Sequence, residues 1–359
     1  MIIFKIYQLP SQNFNMLYIT KINLDQRTAR AKHVKSLIKF AKYNKKEIIF
    51  ICKNKLNKIS FYLQVIFQII KNNKRKVYTR DLDIAFIILL LKRTGVFEVH
   101  QYGFLRKEFN CTFFPIRRIL FSKIINSTNI SIVVLTKNSS KFLRRLYKSK
   151  IKKNIFIIKD ASDNFKVNLW NSNNFKRGKI NIGYCGSFLP GKGGYESIKI
   201  ASDAPEFNFF LAGPLDLNQK LEIKRYKNCF YFGNLDELSL ENFYKKCDIL
   251  IAPIGNRIFL DKEKNNEITF FTSPLKIFEY LVMNKPIITT DCPATREFKD
   301  FAGVWIINKK DSSSTSQWIK QVHEISRNIL FRNEKLLSKL RSQKIYSWGD
   351  RLNDMEKII

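Results

Sequence analysis

The sequence predicts an α/β protein made of two tandem domains, each with a parallel β-sheet covered by helices. Short runs of β-branched and aromatic residues alternate with longer segments of helical periodicity, and this alternation is typical of parallel sheets. The alternation stops at a polar stretch after residue 167 and then starts again. With 359 residues, the chain is long enough for two cores of about 150 to 180 residues each.

Six strands are predicted in the first half from their β-branched and aromatic content. They are LYIT at 17–20, EIIFIC at 47–52, KVYT at 76–79, VFEVH at 96–100, SIVVL at 131–135 and NIFIIK at 154–159. After the first strand, the segment 28–43 places Val34, Leu37 and Ala41 on one stripe, which predicts an amphipathic helix.

The polar stretch NLWNSNNFKRG, residues 168–178, is the predicted linker between a first domain at 1–167 and a second at 179–340. Six further strands follow it: KINIGYCG, FNFFLAG, CFYFG, CDILIAP, KPIITT and GVWIIN. The tail, within 341–359, predicts one last helix. This spacing indicates two Rossmann-like domains, with a ligand expected where the carboxyl ends of the strands meet.

The positive charge of the chain is concentrated in its first half. The net charge is +34, and residues 1–178 contain 37 Lys and Arg against 8 Asp and Glu. Residues 179–359 contain 27 against 22, so a uniform compositional bias does not explain the difference. A surface this basic indicates an anionic partner, either nucleic acid or a membrane rich in acidic lipid.

Several classes of protein are disfavoured by composition. The longest apolar run, residues 84–91, is far shorter than the roughly 20 residues of a membrane-spanning helix. The N-terminus lacks the features of an export signal, so a cytoplasmic protein is expected. Six scattered cysteines without a CxxC spacing, and only three histidines, disfavour a zinc site and a disulfide scaffold.

The stretch GSFLPGKGG, residues 186–194, follows a predicted strand and opens a predicted helix. Gly186, Gly191 and Lys192 match a Walker P-loop, but Gly193 stands where that loop needs the Ser or Thr that binds Mg²⁺. A P-loop NTPase is therefore disfavoured. The loop can still present backbone N–H groups to a phosphate, and the alternative is a plain tight turn with a surface lysine.

A second motif is SPLKIFEYL, residues 273–281. It predicts a helix with Ser273 as N-cap and Pro274 in the first helical position. A diphosphate at this helix start would meet free N–H groups, the positive end of the helix dipole and Lys276. Glu279 lies one turn further along and could accept hydrogen bonds from ribose hydroxyls. The alternative is an ordinary helix with a solvated Lys276–Glu279 pair.

The motifs GYCGSFLPGKGG, FLAGPL, CFYFGNL, FYKKCDILIAP, SPLKIFEYL, NKPIITTD and TREF occur in one order. This series resembles the donor-binding half of GT-B glycosyltransferases in the retaining, glycogen-synthase-like clan, close to family 4 and its SPLK branch. The resemblance is strong over about 180–300 and looser in the first half, where VYTRD and FEVHQ carry it. It implies two Rossmann-like domains whose parallel sheets face across a cleft, with the last helix crossing back to the first domain.

For the donor, the resemblance implies that the 186–194 loop and the SPLK helix bind a nucleoside diphosphate sugar. Ser187 stands where relatives often have Arg, so Lys276 is the expected second cation beside Lys192, and no catalytic metal or cofactor is expected. Glu279 matches the ribose-binding glutamate, whereas the position of a second family glutamate is occupied by Phe271. The donor residues so implied are Gly186, Ser187, Lys192, Gly233, Asn234, Leu235, Ser273, Pro274, Leu275, Lys276 and Glu279.

For the acceptor and the transferred sugar, the resemblance implies residues at the strand ends of the first domain. His100 resembles a histidine that relatives place near the transferred sugar, and it joins Lys192 and Glu279 as an expected catalytic residue. The alternative for His100 is a structural histidine. The remaining residues on this side are Thr28, Ala29, Arg80 and Glu98.

The resemblance therefore implies transfer of a hexose-type sugar from UDP- or GDP-sugar to a lipid-linked or cell-surface polysaccharide acceptor. The alternative is a binding protein, either a catalytically degenerate GT-B protein or a basic nucleic-acid-binding protein, although no nucleic-acid-binding motif is present. We expect the basic half to hold the protein peripherally on the inner face of the cytoplasmic membrane. The candidate contact segments mix aromatic and basic residues and are 106–127 and 139–153.

Overall fold

The structure is a computed structural model that describes residues 15–25, 29–53, 57–100, 114–147, 155–162, 179–264, 267–269, 272–330, 338–340 and 342–359. The chain forms two compact units. The first comprises Met1–Ala161 together with Tyr346–Ile359, and the second comprises Ser162–Ile345. The predicted linker at 168–178 lies outside the described residues.

The first unit contains a six-stranded parallel sheet in the order β2-β1-β3-β4-β5-β6. Its strands are β1 (Met16–Thr20), β2 (Ile48–Cys52), β3 (Lys76–Thr79), β4 (Gly95–Glu98), β5 (Ile130–Val134) and β6 (Ile155–Ile157). Every residue of β1, β2 and β4 is buried, as expected for parallel strands covered on both faces. All six predicted strands are confirmed.

The second unit repeats this architecture with six parallel strands in the order β12-β11-β10-β7-β8-β9. Its strands are β7 (Asn181–Cys185), β8 (Asn208–Ala212), β9 (Cys229–Tyr231), β10 (Ile249–Ala252), β11 (Ile287–Thr290) and β12 (Val304–Ile307). These also match the six predicted strands, so the predicted α/β class with two Rossmann-like sheets is confirmed.

The α-helices lie between the strands and after the last one. In the first half they are α1 (Ala29–Tyr43), α2 (Lys58–Lys71), α3 (Leu82–Leu90), α4 (Phe114–Asn126) and α5 (Lys137–Tyr147). In the second half they are α6 (Gly194–Ser202), α7 (Leu217–Ile223), α8 (Glu237–Lys246), α9 (Leu275–Val282), α10 (Thr315–Leu330) and α11 (Trp348–Glu356). Since parallel crossovers are right-handed, the strand order puts α1 on one side of the first sheet and α2 to α5 on the other.

The last helix, α11, belongs to the first unit. It begins after Ser347, which forms a capping box with Asp350, and it is shorter than the predicted tail helix because this cap fixes its start. Trp348 and Leu352 are buried in one core with residues of α1 and of the first sheet. This core ties the end of the chain to the first unit.

Each sheet has one point where the strand order reverses direction, between β1 and β3 in the first unit and between β7 and β10 in the second. In open parallel sheets, ligands bind beyond the carboxyl ends of the strands at such a point. The loops after β1 and β3, and those after β7 and β10, are therefore the places where the fold favours a site.

Two features are absent from the part of the chain that the structure describes. No helix in this part of the chain is long and apolar enough to cross a membrane. Within the same residues, no cluster of three or more His, Cys, Asp or Glu is arranged to hold a metal ion.

Candidate donor site

The loop that follows β7 is folded around the hydroxyl group of Tyr184, the fourth residue of that strand. The Tyr184 Oη lies 2.6 Å from the carbonyl oxygen of Ser187 and 3.0 Å from that of Lys192. Tyr184 is fully buried and its ring packs against Phe188. The two ends of the 187–192 loop are thereby held together at the reversal point of the second sheet.

The backbone conformation of this loop requires glycine at two positions. Gly191 has φ 73°, and a Cβ at this position would lie 1.7 Å from the carbonyl oxygen of Arg257. Gly193 has φ 103° and is the N-cap of α6. A Ser or Thr would be strained in that conformation, so the residue that a Walker loop uses for Mg²⁺ does not suit this backbone.

Lys276, in the first turn of α9, reaches the same loop. Its Nζ donates to the carbonyl oxygen of Lys192 at 2.7 Å and to Tyr184 Oη at 3.0 Å. The ammonium group also lies 4.2 Å from the centroid of the Tyr184 ring, within the range of a cation–π interaction. The two predicted donor motifs, GSFLPGKGG and SPLK, thus meet at one place.

The start of α9 differs by one residue from the sequence prediction. The N-cap is Pro274, with ψ 89°, and its ring offers no side-chain cap; Ser273 lies outside the helix. The first helical residue is Leu275, because the backbone turns into the helix only after Pro274. Ser273 is half-buried and Pro274 is buried.

The two lysines share a largely dehydrated setting. Burial and, to a smaller extent, the neighbouring charge of Lys192 together lower the pKa of Lys276 to about 7. Burial alone lowers the pKa of Lys192 to about 8. Because two ammonium groups close together repel each other, a site built this way favours an anion that would stabilise both charged forms.

Glu196 is a functional-site residue that the sequence analysis did not single out. It is the third residue of α6, and burial raises the pKa of its carboxyl group. Among the described residues, no group hydrogen-bonds to its Oε2 atom, although Lys276 is near enough to favour its charged form. A Glu three residues after an N-cap Gly is its only sequence signal.

Glu279 lies one turn beyond Lys276 on α9. Its Oε2 accepts a hydrogen bond of 2.7 Å from the hydroxyl group of Tyr244, which is fully buried on α8. The carboxylate is thereby fixed in direction, and the alternative of a merely solvated Lys276–Glu279 pair does not describe this contact. Tyr244 had no sequence signal beyond its place in FYKKCD.

The segment 233–235, which contains three of the predicted donor residues, is linked to the loop after β7 through Gly213. The Gly213 N–H donates to the carbonyl oxygen of Gly233, and the Gly186 N–H donates to that of Ala212. Leu235 packs on the core of the second unit, whereas Asn234 is exposed. Of the predicted donor residues, Gly186, Ser187, Lys192 and Lys276 form one cluster, and Gly233 adjoins it.

The first unit holds a separate cluster at the carboxyl ends of β3 and β4. Glu98 is fully buried and contacts the His100 ring, Tyr78 and, at 2.7 Å, the guanidinium group of Arg351 on α11. Although burial would raise its pKa, the charge of Arg351 and the contacts with His100 hold it well below the usual range. Arg80 Nη2 lies 2.6 Å from His100 Nδ1.

These contacts define the state of His100. Arginine can only donate, so Nδ1 is the acceptor and Nε2 carries the hydrogen that faces Glu98. Burial and the charge of Arg80 lower the pKa of His100. The ring is thus neutral and held at both nitrogens, which suits a positioning or hydrogen-bonding role better than proton transfer.

A second histidine, His33 of α1, adjoins this cluster. Its ring lies edge-on to that of His100 at 5.7 Å, and its Nδ1 is 3.3 Å from Asp160 Oδ1. Burial lowers the pKa of His33 to about 3. The guanidinium group of Arg351 also donates to the carbonyl oxygen of Ile158, so α11 is tied to β4 and to the segment after β6. Neither His33 nor Arg351 was singled out from the sequence.

The reversal point of the first sheet is closed by Asp81, directly after Arg80. Its Oδ2 accepts hydrogen bonds from the Lys21 N–H at 2.8 Å and from the Thr20 hydroxyl at 3.1 Å. Of the predicted acceptor residues, Ala29 is the first residue of α1. Thr28 lies outside the described residues, as does Phe271.

The comparisons with known proteins agree with this geometry. Residues 181–325 match the family model described as "Glycosyl transferases group 1". The second unit carries a glycosyltransferase group 1 domain. The predicted resemblance to GT-B glycosyltransferases is thereby confirmed, and its strongest part, at about 180–300, coincides with this glycosyltransferase domain.

Among curated proteins, the chain is 28% identical over 124 residues to the putative teichuronic acid biosynthesis glycosyltransferase TuaH of Bacillus subtilis. The match covers 33% of this chain, and the chain spans only 29% of the length of that relative.

Solved structures show the GT-B fold over nearly the whole chain. Sucrose-phosphate synthase of Thermosynechococcus elongatus has a TM-score of 0.68 at 10% identity, covering 96% of this chain and 98% of that one. Anabaena Alr3699/HepE, solved in complex with UDP-glucose, has a TM-score of 0.66 at 10% identity, with 96% and 98% covered. At such identity these structures establish the fold alone.

Proposed function

We propose that the protein transfers a hexose-type sugar from a UDP- or GDP-sugar to a lipid-linked or cell-surface polysaccharide acceptor, without a metal ion and with retention of anomeric configuration. The observation that carries this proposal is the meeting of Lys192 and Lys276 at the carboxyl end of β7, in a glycosyltransferase group 1 domain. Both lysines lie beside helix starts, where backbone N–H groups favour phosphate.

The proposed chemistry follows from charge. Breaking the bond between sugar and diphosphate builds negative charge on the leaving nucleotide, and fixed cations stabilise that charge in the transition state. Lys192 and Lys276 supply two positive charges in a dehydrated setting, and the first turns of α6 and α9 add their dipoles. In this proposal these groups do the work that a divalent ion does in metal-dependent transferases.

Glu279 is proposed to accept hydrogen bonds from the ribose hydroxyls of the donor, with Tyr244 fixing its direction. His100, held by Glu98 and Arg80, is proposed to hydrogen-bond the transferred sugar. Arg80 and the start of α1 are proposed to lie on the acceptor side. Phe271 leaves one family glutamate without a counterpart, and the half-buried Glu196 is the nearest described carboxylate to Lys276 with an unpartnered oxygen.

The comparisons support the substrate classes. Alr3699/HepE has been solved with UDP and with UDP-glucose, and the name of the TuaH relative refers to a cell-surface polysaccharide. We extend these classes to this chain and place its activity at the cytoplasmic face of the membrane, where a lipid-linked acceptor would be reached.

Isothermal calorimetry with UDP and GDP, with and without a chelator, tests the donor half of the proposal. We expect one of the two nucleotides to bind equally well in both conditions, and Lys276→Met to abolish that binding. Binding of neither nucleotide, or binding that disappears with the chelator, would contradict the proposal. Lys285→Met is the matched control, because Lys285 is also a buried lysine of the second unit but donates to the carbonyl oxygen of Lys245.

A further inference from the structure

Helix α2 exposes apolar side chains on the side that faces away from the sheet. Four large residues are more than half exposed: Ile59 at 75%, Leu63 at 64%, Phe67 at 59% and Ile70 at 59%. With 3.6 residues per turn, these positions fall within an arc of about 100° on the helix surface. They form a continuous stripe.

The opposite face of α2 is apolar as well, with Phe61, Val65 and Ile69 buried against the unit. No charged residue occurs between Lys58 and Lys71, the two ends of the helix. A surface helix of a water-soluble protein normally presents polar residues outward. The outward face of α2 therefore has the composition of an interface.

The stripe continues onto neighbouring helices on the same side of the sheet. Helix α3 contacts both α2 and α4. It exposes Leu90, and α4 exposes Ile116 and Ile119, each by more than half. We call the outward surface of these three helices the α2–α4 face.

The charges around the α2–α4 face are predominantly positive. In residues 57–100 and 114–147 the acidic residues are Asp81, Asp83 and Glu98, and each is hydrogen-bonded inside the unit. The exposed basic residues on α2 to α5 and their ends are Lys58, Lys71, Lys74, Lys92, Arg118, Lys123, Lys137, Lys141, Arg144 and Arg145. The surface thus combines exposed apolar groups with positive charge, and the partly exposed acid in these ranges, Asp83, is paired with Lys21.

Exposed apolar groups together with positive charge favour one kind of partner over another. A second copy of the chain would bring two strongly positive surfaces together, which like-charge repulsion opposes. A bilayer with acidic headgroups offers both a counter-charge for the lysines and an apolar layer for the aliphatic side chains. We propose that the α2–α4 face is the surface through which the protein binds an anionic membrane, with Leu63 and Phe67 inserted below the headgroups.

The α2 stripe adds to the two contact segments expected from the sequence. In the segment 106–127, Phe121 is fully buried in the core and residues 106–113 lie outside the described part, so Ile116 and Ile119 are its exposed contribution. In the segment 139–153, Leu143 is buried. The α2 stripe was missed because an uncharged segment with apolar residues on both faces resembles a core helix in sequence.

The inference rests on the proposed function only in so far as the membrane would carry the lipid-linked acceptor. Membrane binding itself can be measured without donor or acceptor. The experiment is co-sedimentation of the full chain with vesicles of phosphatidylcholine alone, and with phosphatidylglycerol added, at low and high salt. We expect binding to the anionic vesicles that weakens as salt rises, and about tenfold weaker binding for the double variant Leu63→Gln with Phe67→Gln.

Two controls keep the test specific. The double variant Leu217→Gln with Leu238→Gln changes two leucines of the second unit that are 73% and 70% exposed, and it should bind as the wild type does. Both double variants should keep the wild-type affinity for UDP, which separates a failure of membrane docking from a failure of the donor site.

Insertion can be measured directly with the variant Leu63→Trp. If this position enters the bilayer, brominated lipid in anionic vesicles should quench the fluorescence of the introduced tryptophan. Equal binding of the wild type and the Leu63→Gln, Phe67→Gln variant would overturn the inference, as would equal partition onto neutral and anionic vesicles. Two further results would overturn the inference. One is that the wild type forms a dimer without vesicles and the Leu63→Gln, Phe67→Gln variant does not. The other is that the wild type binds RNA more tightly than anionic vesicles.

Discussion

At the scale of single residues, the donor site keeps two lysines in an unfavourable state until a ligand arrives. Lys276 and Lys192 are dehydrated, close to each other, and shifted to pKa values of about 7 and 8. Their arrangement costs stability in the ligand-free protein. In the proposed function, a bound diphosphate would offset that cost, because it stabilises both charged lysines.

Replacement of Lys276 by Met should therefore stabilise the ligand-free protein. An unfolded lysine keeps a pKa near 10.5, so between pH 7 and 10.5 the unfolded state binds more protons than the folded one. The cost is full at or below pH 7 and fades towards pH 10.5. We expect Lys276→Met to raise the thermal midpoint by about 2 °C or more at pH 7, with a smaller difference at higher pH.

Differential scanning calorimetry of both proteins across this pH range checks the prediction. A lower midpoint for Lys276→Met at pH 7 would contradict the dehydration argument. The hydroxyl group of Tyr184 keeps its contacts with Ser187 and Lys192 in the variant, so no buried donor loses its last partner.

The affinity for UDP should depend on pH through the same two lysines. Binding requires their charged forms, so above pH 7 to 8 each binding event takes up protons. With pKa values of about 7 and 8, we expect the dissociation constant to rise by more than about a hundredfold between pH 7 and 9. Calorimetry at pH 8 in buffers with different heats of ionisation measures the uptake directly, and release of protons, or none exchanged, would refute the assignment.

Glu279 and Lys192 should each matter for turnover more than for folding. A charge-assisted hydrogen bond contributes about 1.5 to 3 kcal/mol, so Glu279→Ala and Lys192→Ala should lower turnover at least about tenfold. The control Tyr244→Phe keeps the Glu279 carboxylate but removes the hydrogen bond that orients it. We expect this variant to lose less turnover than Glu279→Ala. Wild-type turnover in both Ala variants would remove these residues from the site.

The sequence predicted the residues of the donor site better than their contacts. Lys192 and Lys276 follow from two motifs that lie 84 positions apart, and each motif has a local signal. The hydrogen bond of Lys276 to the Lys192 carbonyl group and the burial of Tyr184 depend on tertiary packing. No local pattern encodes them.

At the scale of elements, α11 is attached to the first sheet by a buried ion pair. Arg351 and Glu98 are both fully buried and lie 253 positions apart. The sequence predicted α11 as a helix, since its apolar spacing and Ser347 cap are local. It did not predict Arg351 as a core residue, because a charged residue is rarely buried without a partner and the partner is distant in sequence.

A double-mutant cycle should expose this pair. Arg351→Met or Glu98→Gln alone leaves a buried group without its charged partner, so each should lower the free energy of unfolding by about 3 to 5 kcal/mol. The double variant should lose clearly less than the sum of the two. Urea unfolding of the full chain measures all four proteins, and simple additivity would show that the pair is not coupled.

The control for this cycle is an exposed pair in the second unit. Lys245 and Glu241 form an ion pair one helical turn apart on the surface of α8. Lys245→Met should change the free energy of unfolding by less than about 1 kcal/mol. A large loss in this control would indicate that the method responds to charge removal in general.

At the scale of the whole molecule, the strand count and the class could be predicted because both rest on local periodicity. The strand orders could not, although each reversal point is where the site residues gather. The loops proposed to bind the diphosphate follow strands of the second unit, and the carboxylates of Glu98 and Asp81 lie at or just after strand ends of the first unit. Position in the sheet, more than any single motif, explains why these loops carry the polar residues.

The placement of α11 has a consequence for the order in which the protein can fold during synthesis. The first unit needs Tyr346–Ile359, and the whole of Ser162–Ile345 is translated before that helix. At about 5 to 20 residues per second the delay is roughly 10 to 40 s. During that time Glu98 has no Arg351 and the core beside α1 has no Trp348, so the ribosome carries a basic, incompletely packed sheet until the last helix emerges.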